Sequence, residues 1–177
     1  MRKFLFLPLL ALLASCGKDE DYDRSNPQPE DLVSPALYAT LSQSSTDPYN
    51  GPLEVLPCET NGSFYIGNYT AKGKQVPFPA YYLITNGIGK SQKYPLRLPV
   101  GTYNVIYWGY PDYFGTAGDA YLADPTLIIG KKLNTTSLGL RKIPGDTVYY
   151  PIHSLVYGTQ NINIGKDDLQ AHLRDIH

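Results

Sequence analysis

The stretch Leu96-Arg97-Leu98-Pro99-Val100-Gly101-Thr102-Tyr103-Asn104-Val105-Ile106-Tyr107-Trp108-Gly109 limits the fold of this chain more than any other. Its second half alternates: Tyr103, Val105 and Tyr107 point to one side of an extended strand, and Asn104, Ile106 and Trp108 to the other. Aromatic and β-branched side chains suit a pleated strand. Pro99 interrupts any ladder before it, Gly101 relaxes the turn, and Tyr103 opens the strand with a buried ring.

The rest of the chain follows the same grammar. Its 16 Tyr, 16 Gly and 15 Pro suit short strands joined by tight turns and oppose long helices. Leu37, Ala39 and Leu41 alternate with Tyr38, Thr40 and Ser42, the period of a half-buried strand. After the turn residues Asp47 to Pro52 comes an apolar run, Leu53 to Cys58. Phe64-Tyr65-Ile66 is expected to pair with Gln75 to Phe78 across Ala71 to Lys74, with Pro77 confining its strand to an edge. Ala80 to Thr85 reads as a strand and Asn86 to Lys90 as a turn. Further short strands are expected at Thr126 to Ile129, Thr147 to Tyr150, Ser154 to Tyr157 and Asn161 to Ile164, the last three separated by Pro151 and Gly158. Leu169, Leu173 and Ile176 are spaced as on a helix, so Asp167 to His177 is a short C-terminal helix or the start of a further segment. Seven or more short strands without alternating helices point to an all-β fold, an antiparallel Greek-key sandwich.

The first residues carry an address. Arg2 and Lys3 form a positive end, and Phe4 to Ala14 is an apolar core far short of the ~20 residues a spanning helix needs. Leu13-Ala14-Ser15-Cys16 resembles the lipobox of bacterial lipoprotein precursors, which implies removal of residues 1–15 as a signal peptide and lipidation of Cys16. Residues 16–35 are polar, charged and proline-containing, a lipidated flexible tether, and 36–177 form the sandwich domain. Lys18-Asp19-Glu20-Asp21 is similar to the charged signal of Bacteroidota lipoproteins displayed on the outer surface; a solvated linker has the same composition.

Little else in the sequence asks for chemistry. Without Arg2 and Lys3 the 15 basic residues fall to 13 against 16 acidic ones, a net −3 with no long basic block, so nucleic acid is not an expected partner. Cys58 is the only cysteine left once Cys16 is consumed, and reads as a buried small hydrophobe. Gly89-Lys90-Ser91 lacks the glycine a phosphate loop needs five positions before Gly89, where Ile84 stands. His172, Asp175 and His177 read as a polar tail, and His153 as a structural histidine. Asp112, Asp119 and Asp124 read as solvated loop carboxylates. No catalytic constellation, cofactor site or metal site is expected. Trp108, Tyr110, Tyr113 and Phe114 are the candidate ligand or partner contacts: exposed, such rings stack on sugars or meet a protein, and alternate buried ones are core, the stronger reading for Tyr107 or Trp108.

Leu98-Pro99-Val100-Gly101-Thr102-Tyr103 resembles the Leu-Pro-x-Gly-x-Tyr signature of transthyretin-like β-sandwich modules. Together with the lipobox, the acidic run, and the segment Tyr149 to Leu173, it resembles the Bacteroidota fimbrillin superfamily, particularly FimB-type fimbrial anchor lipoproteins. The resemblance implies outer-membrane lipid attachment through Cys16, an outward-facing location, and assembly with other fimbrial subunits by β-strand complementation. It implies no catalytic residue. FimB-type proteins carry two sandwiches in tandem, so the chain to His177 reads as a shortened relative or as one whose second domain is missing. The alternative expectation is a surface lipoprotein that binds polysaccharide through the aromatic loop.

Overall fold

Alternation along β9 (Gly101–Gly109) decides which face of the sheet turns inward. The computed structural model describes residues 27–41, 46–60, 64–110, 122–123, 126–133, 137, 139–140, 142–149, 155–167 and 169–176. Tyr103, Val105 and Tyr107 are buried in the main core, while Trp108 joins a separate cluster on the opposite face. Tyr103 also closes the turn before it, because its hydroxyl donates to the Pro99 carbonyl at 2.8 Å. A buried phenol needs such a partner, and this one fixes the strand entry.

In chain order the other strands are β1 (Leu32–Val33), β2 (Ala36–Leu41), β3 (Gly51–Glu59), β4 (Asn68–Tyr69), β5 (Gln75–Val76), β6 (Ala80–Thr85), β7 (Ile88–Ser91), β8 (Leu98–Pro99), β10 (Leu122–Ala123), β11 (Gly139–Leu140), β12 (Val156–Ile164) and β13 (Gln170–Ile176). A 3-10 turn at Pro29–Asp31 is the only helical element among the described residues. Seven strands form one sheet in the order β12-β9-β3-β6-β7-β2-β13, and three two-stranded ladders (β1-β8, β4-β5, β10-β11) flank it. The fold is an all-β sandwich: the large sheet curls so that Leu37, Leu53, Val55, Tyr82, Ile84, Tyr107, Ile164 and Leu173 share one core. Each such aliphatic or aromatic side chain removed from water contributes on the order of 2 kcal/mol.

β3 is the centre of the sheet, buried from Gly51 to Cys58 with both faces covered. It carries two prolines, which a fully paired strand could not hold. The register explains them. Pro52 faces only β6, through Leu83, and Pro57 faces only β9, through Val105, whereas Leu53, Glu54 and Val55 have partners on both sides. Each proline therefore lies where one side of β3 has no ladder.

Elsewhere the structure departs from sequence expectation in physically readable ways. The hairpin near Ala71 exists, but its first strand is β4, while Phe64 and Tyr65 instead bridge to Lys132 and Cys58. The β6-β7 turn contains only Asn86 and Gly87, with φ of 49° and 75°, and Ile88 already pairs with Thr85. That left-handed pair is the favoured two-residue hairpin turn. Thr126 to Ile129 forms no strand, and among the described residues near Thr147 there is only a bridge between Lys142 and Tyr149. Gly158 does not separate two strands; β12 runs through it for nine residues paired with β9.

The largest correction concerns the C-terminal segment. It is not a helix but strand β13, with Ala171 and Leu173 buried and Leu169 exposed. A period of two, set by the core, overrides the three-to-four spacing of Leu169, Leu173 and Ile176. β13 also breaks the antiparallel pattern, since it runs parallel to β2, with Ala171 opposite Leu37 and Leu173 opposite Ala39.

Candidate functional site

Two places could carry contact with another molecule: the aromatic cluster named by the sequence, and the junction where the two edge strands of the curled sheet meet. The aromatic cluster is folded inward. Trp108 and Tyr110 are each 6% exposed and pack with Leu56 and Tyr65, against Ile106, Leu127 and Leu133. Neither ring offers a free face to a sugar. Tyr113 and Phe114 lie outside the described residues, as do Cys16, the tether to residue 26, His153 and His177. Cys58 is buried, its thiol directed at the Leu56 carbonyl, and burial pushes its pKa up to about 12. A thiol so held is a poor nucleophile. His172 stacks on Tyr38 with ring centroids 4.8 Å apart and lies 3.1 Å from the Gln170 side chain.

The junction is built differently. Directions counted across the sheet from β12 to β13 make these edge strands antiparallel neighbours, joined by residues 165–169. No backbone ladder links them among the described residues. Side chains take the ladder's place. The Gln160 amide donates through Nε2 to the His172 carbonyl at 2.7 Å and accepts through Oε1 from the Arg174 N–H at 2.8 Å. Only one orientation of the carboxamide satisfies both groups, so it acts as a peptide unit borrowed from β12. Beside it the Tyr107 hydroxyl donates to the Arg174 carbonyl at 2.7 Å.

Gly158 makes the second bond possible. A Cβ there would lie 2.5 Å from the Tyr107 hydroxyl oxygen and 2.6 Å from two ring carbons. With no side chain at 158, the ring passes across β12 and reaches β13. A cleft of about 360 Å³ follows the junction, bordered by Gln160, Ile162, Gln170, Ala171 and Arg174. Its outer rim continues onto a row of exposed amides and hydroxyls, in which Thr102 donates to Asn163, Asn104 to Asn161, and Thr159 to Asn104.

Neither Gln160 nor Gly158 stood out in the sequence as functional. A glycine inside a strand pattern signals close approach of another group, and at Gly158 that group is the Tyr107 ring. Gln160 leaves no comparable mark, since a polar residue at one strand position is ordinary.

Comparison with curated proteins and with solved structures gives no match. A family model does match: that of the fimbrillin-A associated anchor proteins Mfa1 and Mfa2, over residues 30–177. The matched span takes in every strand described above, from β1 to β13. The chain belongs to the family of fimbrillin-A associated anchor proteins, a structural family of the cell surface whose members associate with fimbrial subunits.

Proposed function

We propose that this chain is an outer-membrane lipoprotein that holds fimbrial subunits to the cell exterior, as an anchor or a minor subunit, through strand complementation. The family match over residues 30–177 carries the reading. The lipobox-like run ending at Cys16 supports the means of attachment. Two or more acyl chains hold a protein to a membrane stably where one does so marginally, so lipidated Cys16 would be a mechanical fixture. The tether then runs from Cys16 toward β1, shorter at its far end than the sequence suggested because Leu32 and Val33 pair with β8 and pack on the core, and the chain from β1 onward serves as the domain that meets other subunits. The protein works by hydrogen bonding and apolar burial and catalyses no reaction. A sheet whose two edge strands meet without a ladder among the described residues supports assembly by added strands, because edge N–H and C=O groups outside a backbone ladder are what an incoming strand pairs with.

The test is recovery of the protein from gently solubilised outer membranes. Fimbrial subunits are expected to co-purify with the unaltered chain, and Cys16→Ser is expected to release it from the membrane fraction and abolish that association there. Recovery of the intact chain with no fimbrial subunit attached would overturn the anchor reading.

A further inference from the structure

We propose that the face of the domain beside the tether entry, made by the turn of the β4-β5 hairpin and the Phe78–Tyr94 pair, docks on the membrane surface through its anionic lipid headgroups. The proposal rests on the anchor reading for how the chain reaches the membrane. The face shares no residue with the buried aromatic cluster or with the edge junction.

Charge is spread unevenly along the sequence. Between Glu59 and Asp112 there is no acidic residue, yet the same stretch holds Lys72, Lys74, Lys90, Lys93 and Arg97, in a chain whose formal net charge is −1. Such an asymmetry marks a surface that meets anions. The fold gathers part of it in one place. Lys72 and Lys74 flank Gly73 in the β4-β5 turn and are exposed. Asn68 on β4 holds the Pro95 carbonyl and the Arg97 N–H, which brings the segment after Lys93 alongside the hairpin. Phe78, just past β5, stacks on Tyr94 with ring centroids 5.1 Å apart and planes 9° from parallel, and Lys93 Nζ sits 5.4 Å from the centre of the Tyr94 ring. Phe78 is 45% exposed. An exposed aromatic pair with lysines beside it suits a headgroup boundary, where rings leave water and ammonium groups meet phosphate.

What selects a membrane over another anion is where the chain enters. A Cβ on Gly73, whose φ is 79°, would lie 3.3 Å from the Pro27 carbonyl oxygen and 3.5 Å from the Pro29 ring, so the hairpin turn packs against the first residues after the tether. The eleven residues from Cys16 to Asn26, as a polar coil, average about 20 Å end to end. Lipidated Cys16 therefore keeps this face within reach of the lipid. Phe78 follows Gly73 by five residues, at most about 18 Å of chain. Two acids, Glu30 and Asp31, share the entry, and Asp31 accepts from the Gln28 N–H at 3.1 Å; Lys72, Lys74, Lys93 and Arg97 outnumber them. An acyl anchor together with a basic patch is a two-signal attachment, and it fixes which way the domain faces. β1 pairs with β8 just before β9 starts, so the end where β9 stops at Gly109 and β12 begins at Val156 points away from the membrane, toward other subunits.

The test is amine-reactive footprinting of the full lipidated chain, read by mass spectrometry, on vesicles of phosphatidylcholine alone and of phosphatidylcholine with about one-third phosphatidylglycerol. Lys72, Lys74 and Lys93 are expected to label about fivefold more slowly on the anionic vesicles than on the neutral ones, while Lys142, between β9 and β12, labels equally on both. About 0.5 M salt is expected to remove the protection. Lys72→Gln with Lys74→Gln is expected to abolish the protection of Lys93, and Phe78→Ser to reduce it about twofold. Should Phe78→Ser fold poorly, the double lysine variant, confined to an exposed turn, still decides. Equal labelling of the three lysines on both vesicles, with the chain sedimenting with each, overturns the docking face and leaves the anchor reading standing. A chain that sediments only with the anionic vesicles, its three lysines protected, keeps the face and removes the lipid anchor. Protection of the same size from inorganic phosphate alone, or in neutral micelles where the acidic tether is the available anion, overturns the proposal.

Discussion

The molecule uses one device twice, with opposite surroundings. Asn68 on β4 donates through Nδ2 to the Pro95 carbonyl and accepts through Oδ1 from the Arg97 N–H, both at 2.8 Å. Gln160 on β12 makes the same pair of bonds to His172 and Arg174. In each case a carboxamide donates to the carbonyl of one residue and accepts from the N–H two residues on, as a neighbouring strand would. Asn68 is 1% exposed and anchors a segment that leads straight into β8 and β9. Gln160 lies beside an open cleft at the sheet edge. A bridge shut away from water is expensive to break, since the groups it serves have no substitute partner. A bridge at a wet edge can open, because water replaces it. The same chemistry thus fixes one region and leaves the other releasable.

That contrast is most strongly tested at Asn68. Asn68→Ala leaves the Pro95 carbonyl and the Arg97 N–H without the amide, at a cost of about 3 kcal/mol. For a chain of this size the melting temperature falls by about 10 °C, measured by calorimetry, and the loss is global. Alkaline pH attacks the same region. The Tyr82 hydroxyl accepts from the Leu96 N–H at 2.7 Å, between the two groups Asn68 holds, and burial pushes its pKa up to about 12. Buried Cys58 is pushed as high. Both are neutral acids raised by folding, so the unfolded chain loses their protons first as pH climbs. Stability is complete below about pH 8, where neither ionises in the unfolded chain, and falls between about pH 8 and 12, with Tyr82 contributing on the order of 2 kcal/mol of the loss. Denaturant titrations across that range measure it, and Tyr82→Phe flattens the slope.

At the edge the effects are smaller. Gly158→Ala pushes the Tyr107 ring off its path across β12 and costs about 1–2 kcal/mol, as overpacking of a well-filled site does. It also breaks the hydroxyl contact with Arg174, so hydrogen exchange accelerates in β13 more than in β4, β5 or β8. Acceleration of equal size in all of them would erase the difference between the two bridges.

How far the sequence foretold this arrangement depends on whether a residue's neighbours are local. The inward set Tyr103, Val105 and Tyr107 and the opposite Trp108 follow from strand period alone, and the same holds for Leu37 and Ala39 on β2. β3 was legible as an apolar run because a strand buried on both faces needs no alternation. β13 was not, since Leu169, Leu173 and Ile176 match a helix and only the tertiary pairing with β2 selects the period of Ala171 and Leu173. Tyr110 could equally have formed a platform or a core, and although core was the stronger reading for Trp108, the residues that cover both rings, Tyr65, Leu127 and Leu133, come from distant sequence. Neither amide bridge was readable, because Asn68 and Gln160 bind main-chain atoms, which every sequence supplies alike.

The finest test of the two bridges keeps the shape of the side chain and removes one proton. Gln160→Glu preserves the acceptor for the Arg174 N–H but, ionised, presents an oxygen to the His172 carbonyl where an N–H stood. At neutral pH the junction then holds one bond and one repulsion, and β13 loosens by about 1 kcal/mol, since the cleft lets water screen the oxygen pair. Protonation of the new carboxyl restores a donor, so the excess exchange of β13 over the unaltered chain shrinks as pH falls through the carboxylate range, once intrinsic exchange is divided out. Asn68→Asp at the buried bridge follows the same logic with no water to relieve it, and destabilises the whole fold instead of one strand. If both acidic substitutions lower the melting temperature alike, the edge bridge is as rigid as the buried one, and the contrast between the two fails.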